Sequence, residues 1–178
     1  MKRTTIWVWG LMAVASQWAR GDVLEVREAA FVVETRMTVP GSAKAVYAEF
    51  AHPDRWWDSE HTWSGSAKNL SMELRAGGCF CEKLADGGSV QHGRVIYLQP
   101  NVMVRLDAAL GPLQDMPING VLTFKFAPGE KGEETLVTMT YRVAGAMTLE
   151  SAKLAPIVDQ VMSGQLQRLR DHVGKLPR

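Results

Sequence analysis

From Asn69 to Gly145 the chain is a succession of β-rich runs cut by Gly- and Pro-marked turns, and one long amphipathic segment closes it. The runs are NLSMELR, CFCEKL, SVQHGRVIYL, VMVRLDAAL, INGVLTFKFAP and ETLVTMTYRVAG. Turns fall at Ala76-Gly77-Gly78, Asp86-Gly87-Gly88, Gln99-Pro100-Asn101 and Pro128–Gly132. Short intervals between such turns predict an antiparallel meander. In the closing segment Leu154, Ile157, Val158, Val161, Met162, Leu166, Leu169 and Val173 recur at three- and four-residue steps, which gives one broad apolar helix face. An open antiparallel sheet has an apolar face that needs cover, and this helix is the obvious cover. A strongly curved sheet wrapped around one helix leaves a cavity between them. Pro156 opens the helix or kinks it near its start. Gly164 either permits close approach to the sheet or is merely tolerated, at a propensity cost of about 1 kcal/mol.

Ahead of the meander, Val23 to Pro40 is rich in β-branched residues and reads as a single first strand. Ser42 is a plausible N-cap for a short helix with Val46, Phe50 and Tyr47 on its apolar side, and Pro53 stops it. DRWWDSEHTWSG (Asp54–Gly65) follows at once, as a second short helix or an ordered loop. The order is strand, short helices, strands, long helix, an α+β arrangement.

The 178 residues suit one ordinary domain, and no internal repeat is visible. Lys2 and Arg3 precede the short apolar run Ile6–Ala15, and small residues follow at Ala13/Ala15 or Ala19/Gly21. Residues 1–21 read as a signal peptide, cleaved after Ala15 or Gly21, since so short a run makes a poor membrane span. Residues 22–178 are then a single domain, periplasmic or secreted, with no stable membrane span. Cleavage after Gly21 removes Lys2, Arg3 and Arg20 and moves the net charge from +1 to −2. No basic stripe suits nucleic acid.

The cysteines, Cys79 and Cys81, lie in GGCFCEK. An exported protein can oxidise its cysteines. Residues two apart on an extended strand, however, stand roughly 6.5–7 Å apart with parallel side chains, and a disulfide needs Cβ atoms at about 3.5–4.5 Å. A bond would require leaving strand geometry, so the expectation is two reduced thiols on one strand face.

Four stretches carry a resemblance to a known family: TVPGSAKAVYAEFAHPDRWW, LRAGGCFCE, GSVQHGRVIYLQPNVMVRL and LAPIVDQVMSGQLQRLRDHV. Together they span roughly residues 30–174. The chain resembles the SRPBCC superfamily, also called START-like or birch-pollen-allergen-like, and within it the branch of polyketide cyclases/dehydrases and chaperone-ATPase-activator homologues. The resemblance implies a helix-grip fold, with a curved seven-stranded antiparallel sheet wrapped around the C-terminal helix, two short helices after the first strand, and a pocket for an apolar or amphipathic ligand. It carries over no cofactor and no catalytic triad. Its motifs are patterns of glycine, aromatic and apolar positions, specific for fold and not for activity.

In such an architecture Trp56, Trp57 and Trp63 border the pocket mouth and either bind a ring or acyl chain or plug the open end of the sheet as core. His61 between them is a pH-responsive polar contact or a structural donor. Tyr97, Phe124, Phe126, Met139 and Tyr141 are candidate lining residues. Pairing through the Asp86-Gly87-Gly88 turn brings His92 opposite about Glu82. Cys79, Cys81, Glu82 and His92 raise a zinc reading. Strand alternation, though, puts Glu82 and Cys81 on opposite faces, and core thiols beside a Glu–His hydrogen bond are the simpler outcome; no metal is assigned. Acid–base chemistry would draw on His92, Glu82, His61, Asp58 or Tyr97. Ala109–Gly120 is a long Pro-containing connection, either a lid or an ordinary loop.

Three functions fit these features. The leading one is binding of a small apolar or amphipathic ligand (lipid, polyketide or aromatic). The second is a cyclase, dehydrase or hydrolase using pocket His and Glu. The third is a protein-interaction module resembling chaperone activators, which export argues against. No oligomeric state follows from the residues.

Overall fold

The computed structural model describes residues 21–131 and 133–177. The signal-peptide reading, apart from Gly21, lies outside these residues. Eight strands form one sheet in the order β1-β2-β8-β7-β6-β5-β4-β3. They are β1 (Gly21–Arg27), β2 (Ala30–Pro40), β3 (Leu70–Met72), β4 (Cys79–Lys83), β5 (Ser89–Gln99), β6 (Met103–Asp107), β7 (Ile118–Pro128) and β8 (Glu134–Gly145). All pairs are antiparallel. Among the described residues, no helix is long and apolar enough to cross a membrane.

The eighth strand corrects the seven-strand expectation. Val23–Pro40 is a hairpin that reverses at Glu28-Ala29, and β1 pairs along β2 from Gly21↔Thr35 to Arg27↔Ala30. Strand β1 is an edge, with Val23, Leu24 and Val26 exposed. The meander otherwise follows the sequence runs closely. In β2 alternation is strict, with Phe31, Val33, Thr35, Met37 and Val39 facing inward.

Helix α3 (Ser151–Gly174) lies in the concave face. It packs chiefly on β1 and β2, burying Leu154, Ala155, Met162, Leu166, Leu169 and Val173. Pro156 sits inside its second turn. Gly164 is on the solvent side, and a Cβ there would meet nothing within 4 Å. It is therefore tolerated and serves no close approach. Gly164→Ala should raise stability by about 1 kcal/mol, read as a higher denaturation midpoint; an unchanged or lower midpoint would show that the glycine has another role.

Helix α1 (Ala43–Phe50) starts at Ser42, whose side chain accepts from the Ala45 N–H. Pro53 both ends that helical run and opens α2 (Pro53–Trp56), where its missing N–H costs nothing. The two helices close one end of the sheet through an aromatic cluster. The Phe50 ring lies 4.7 Å from Phe124, 5.4 Å from Phe126 and 6.1 Å from Trp56.

Cys79 and Cys81 are disulfide-bonded, which corrects the reduced-thiol expectation. Their Cα atoms are 5.4 Å apart, closer than extended spacing and within disulfide reach. The strand departs from regular pairing here: Phe80 pairs with Gly93 but Cys81 with Gln91, leaving His92 as a bulge. Both sulfurs do lie on one face, opposite the buried Phe80 and Glu82.

Candidate functional site

Because α3 favours one half of the sheet, the other half is closed by loops, and a cavity of about 530 Å³ remains between them. Its walls come from Phe80 and His92 on the sheet, Tyr141 on β8, Leu110–Leu113 and Met116 on the β6–β7 connection, and Leu154–Met162 on α3. Trp57 and Trp63 close one side. A larger depression of about 820 Å³ lies at the opposite end of the sheet. Half of its lining residues are charged, Arg36, Glu134 and Asp171 among them, so it is the more polar of the two.

The three indoles divide the work. Trp56 is 4 % exposed, donates its N–H to the Glu49 carbonyl at 3.2 Å and belongs to the aromatic core. Trp57 packs edge-on to Phe80 at 5.3 Å, donates to the His61 carbonyl at 3.2 Å and forms cavity wall. Trp63 is 53 % exposed at the rim. His61 is also at the rim, its Nδ1 3.8 Å from Asp58.

This segment is held from both sides. On the helix side the Asp58 N–H donates to the buried Gln165 Oε1 at 2.9 Å, and the Asp58 carboxylate pairs with Arg168 at 2.9 Å. On the sheet side Glu82, 1 % exposed, accepts from the backbone N–H groups of Trp63 and Ser64 and from His92 Nε2 at 2.8 Å. Burial alone would raise the Glu82 carboxyl, but hydrogen bonds from Ser64, Trp63 and His92 outweigh it and hold the group below the ordinary glutamate range. It is a carboxylate at neutral pH.

The bulge aims His92 inward. It buries His92 and Gly93 on the same side of β5. Gly93 is required there, since a Cβ would come within 2.8 Å of the Ala108 Cβ. A second bulge, at Ile96, has the opposite result for Tyr97. Alternation from Val95 would put Tyr97 inside, but the register skips Ile96 and both side chains face solvent. Tyr97 lies outside the cavity, with the Arg105 guanidinium 5.7 Å above its ring. Phe124, Phe126 and Met139 are buried in the core and are not on the wall either. Of the residues named from sequence, Trp57, His61, Trp63, Tyr141 and His92 meet at the cavity, with Glu82 behind His92.

The Ala109–Gly120 connection forms a wall over the cavity. Its 3-10 turn (Gly111–Asp115) buries Leu113. The Tyr141 hydroxyl donates to the Ala108 carbonyl at 2.9 Å and accepts from the Leu110 N–H at 3.2 Å, fixing the start of the wall. Gln114 donates to the Gln91 carbonyl at 2.8 Å. Gln165 was not singled out from sequence. Its signal was available as the one amide flanked by Met162, Leu166 and Leu169 on the apolar helix face.

A curved antiparallel sheet clasping a long C-terminal helix over a side cavity is the helix-grip fold. Solved structures of similar shape include CalU16 from Micromonospora echinospora, 16 % identical, with a TM-score of 0.58 over 91 % of this chain and 88 % of that one. XoxI from Bacillus cereus is 16 % identical, with a TM-score of 0.59 over 81 % of this chain and 96 % of that one. The conserved protein of unknown function EF2215 from Enterococcus faecalis is 12 % identical, with a TM-score of 0.59 over 89 % and 80 %. Likeness at such identities concerns the fold alone. No protein-family model matches the chain. No curated protein matches it either.

Proposed function

We propose that this chain binds a small apolar or amphipathic molecule in the cavity between the sheet and α3. The observation that carries the reading is an interior space of about 530 Å³ walled mainly by apolar side chains, with an exposed indole at its rim. That size and chemistry suit a small-molecule site. The resemblance to the polyketide cyclase/dehydrase branch of the START-like superfamily agrees with it. The N-terminal residues 1–21 read as a signal for export, which places this binding in the periplasm or outside the cell. An acid–base enzyme of the cyclase, dehydrase or hydrolase kind is the second reading, favoured by His92 on the wall with the buried Glu82 behind it.

The test is saturable binding of a fluorescent apolar probe, N-phenyl-1-naphthylamine, with native mass spectrometry of protein from its own host to identify the natural guest. Trp63→Ala should weaken probe binding about fivefold, equivalent to roughly 1 kcal/mol of aromatic contact, with little change in Tm. Absence of saturable binding to the folded protein would overturn the proposal.

A further inference from the structure

The polar side chains of the inner wall are almost all spoken for. The Tyr141 hydroxyl both donates and accepts within the protein. The Trp57 N–H is taken by the His61 carbonyl. Glu60 and His61 stand at the exposed rim. His92 differs from these. It is 5 % exposed, lies on the wall, and stacks on Phe80 with ring centroids 5.1 Å apart. Its Nε2 is committed to Glu82, and among the described residues no group bonds Nδ1.

The partner fixes the tautomer. An ionised carboxylate only accepts hydrogen bonds, so Nε2 must carry the ring proton. In the neutral imidazole Nδ1 is then a bare acceptor. A mostly apolar space whose wall includes an imidazole with an unclaimed acceptor selects for a guest with one donor. A buried acceptor left unpaired by a guest costs binding, which turns the single contact into discrimination.

We infer that the ligand is a hydrocarbon or aromatic molecule bearing a hydroxyl group, seated with its O–H donating to Nδ1 of His92. This rests on the cavity reading above and deepens it. Glu82 is here a positioning residue: it sets the direction in which His92 bonds and also holds the backbone of Trp63 at the rim.

Three probes of one shape separate the possibilities: naphthalene, 2-naphthol (a donor) and 2-acetonaphthone (an acceptor), each titrated against the full chain by calorimetry or by displacement of N-phenyl-1-naphthylamine. The wild type should bind 2-naphthol about fivefold more tightly than naphthalene, and 2-acetonaphthone no better than naphthalene. His92→Phe should retain naphthalene and lose the preference. Glu82→Leu removes the acceptor that holds the ring proton on Nε2, so Nδ1 is no longer fixed as an acceptor and the preference for 2-naphthol should shrink at temperatures where the variant is folded. A merely structural Glu82 would weaken all three probes alike. If the wild type binds naphthalene but does not favour 2-naphthol, this inference fails and the cavity reading stands. If the folded wild type binds none of the three, both fall. The wild-type ranking decides by itself should either variant fail to fold.

Discussion

Glu82→Leu should cost the fold about 3–5 kcal/mol, because three buried hydrogen bonds to one charged acceptor are lost together. The carboxylate is 1 % exposed and holds three donors: the Trp63 N–H, the Ser64 N–H and His92 Nε2. A leucine fills part of the volume and satisfies none of them. Each orphaned donor carries a desolvation penalty of about 1–3 kcal/mol, so relaxation and water entry have to recover part of the loss. Urea titration gives the number, and a loss below about 1 kcal/mol would show that the network is not structural. The pH dependence adds a second check. The folded carboxyl titrates below its unfolded value of about 4.3. Its contribution is therefore fully present above that pH and is lost as pH falls through the folded pKa. The wild type should lose stability on acidification below about pH 4, and Glu82→Leu should lose less. Some acid sensitivity will remain in the variant. Burial raises the Glu49 carboxyl, but hydrogen bonds from His172 and Arg55 hold it below its usual range too.

Phe50→Ala should be comparably severe, about 3–5 kcal/mol. The ring is fully buried and touches Tyr47, Trp56, Phe124 and Phe126. These rings come from α1, α2 and β7, so the neighbours cannot collapse into the hole without moving a helix off the sheet. For a chain of this size the loss corresponds to a Tm lower by about 6–20 °C. Phe50 is not on the cavity wall. At temperatures where the variant is folded, N-phenyl-1-naphthylamine should bind with nearly unchanged affinity. A Tm within about 2 °C of the wild type would mean that the cluster repacks.

The fold was legible wherever period and turn chemistry agreed. The meander from β4 to β8 was marked by Gly-Gly and Pro turns, and the closing helix by its apolar stripe. The β1–β2 reversal was not, because Glu28-Ala29 contains neither glycine nor proline. The site was legible in part. The Glu82–His92 approach follows from pairing across the Asp86–Gly88 turn, but the bulge that aims His92 inward leaves no mark in composition. The bulge at Ile96 has the same character, and it carried Tyr97 outside the site. The Cys79–Cys81 bond depends on local strand geometry that ideal spacing does not contain. The indoles could not be sorted from sequence. Burial of Trp56, wall placement of Trp57 and exposure of Trp63 depend on where α2 ends.

Helix α3 packs chiefly on β1 and β2, and this separates two kinds of residue. Those of the β2–β8 seam and the Phe50 cluster hold the molecule together and hardly touch the interior space. Residues such as Leu110, Met116 and Ile157 border that space and are only partly covered by the rest of the protein. Substitutions in the second set can therefore reshape that space while leaving the melting temperature nearly still.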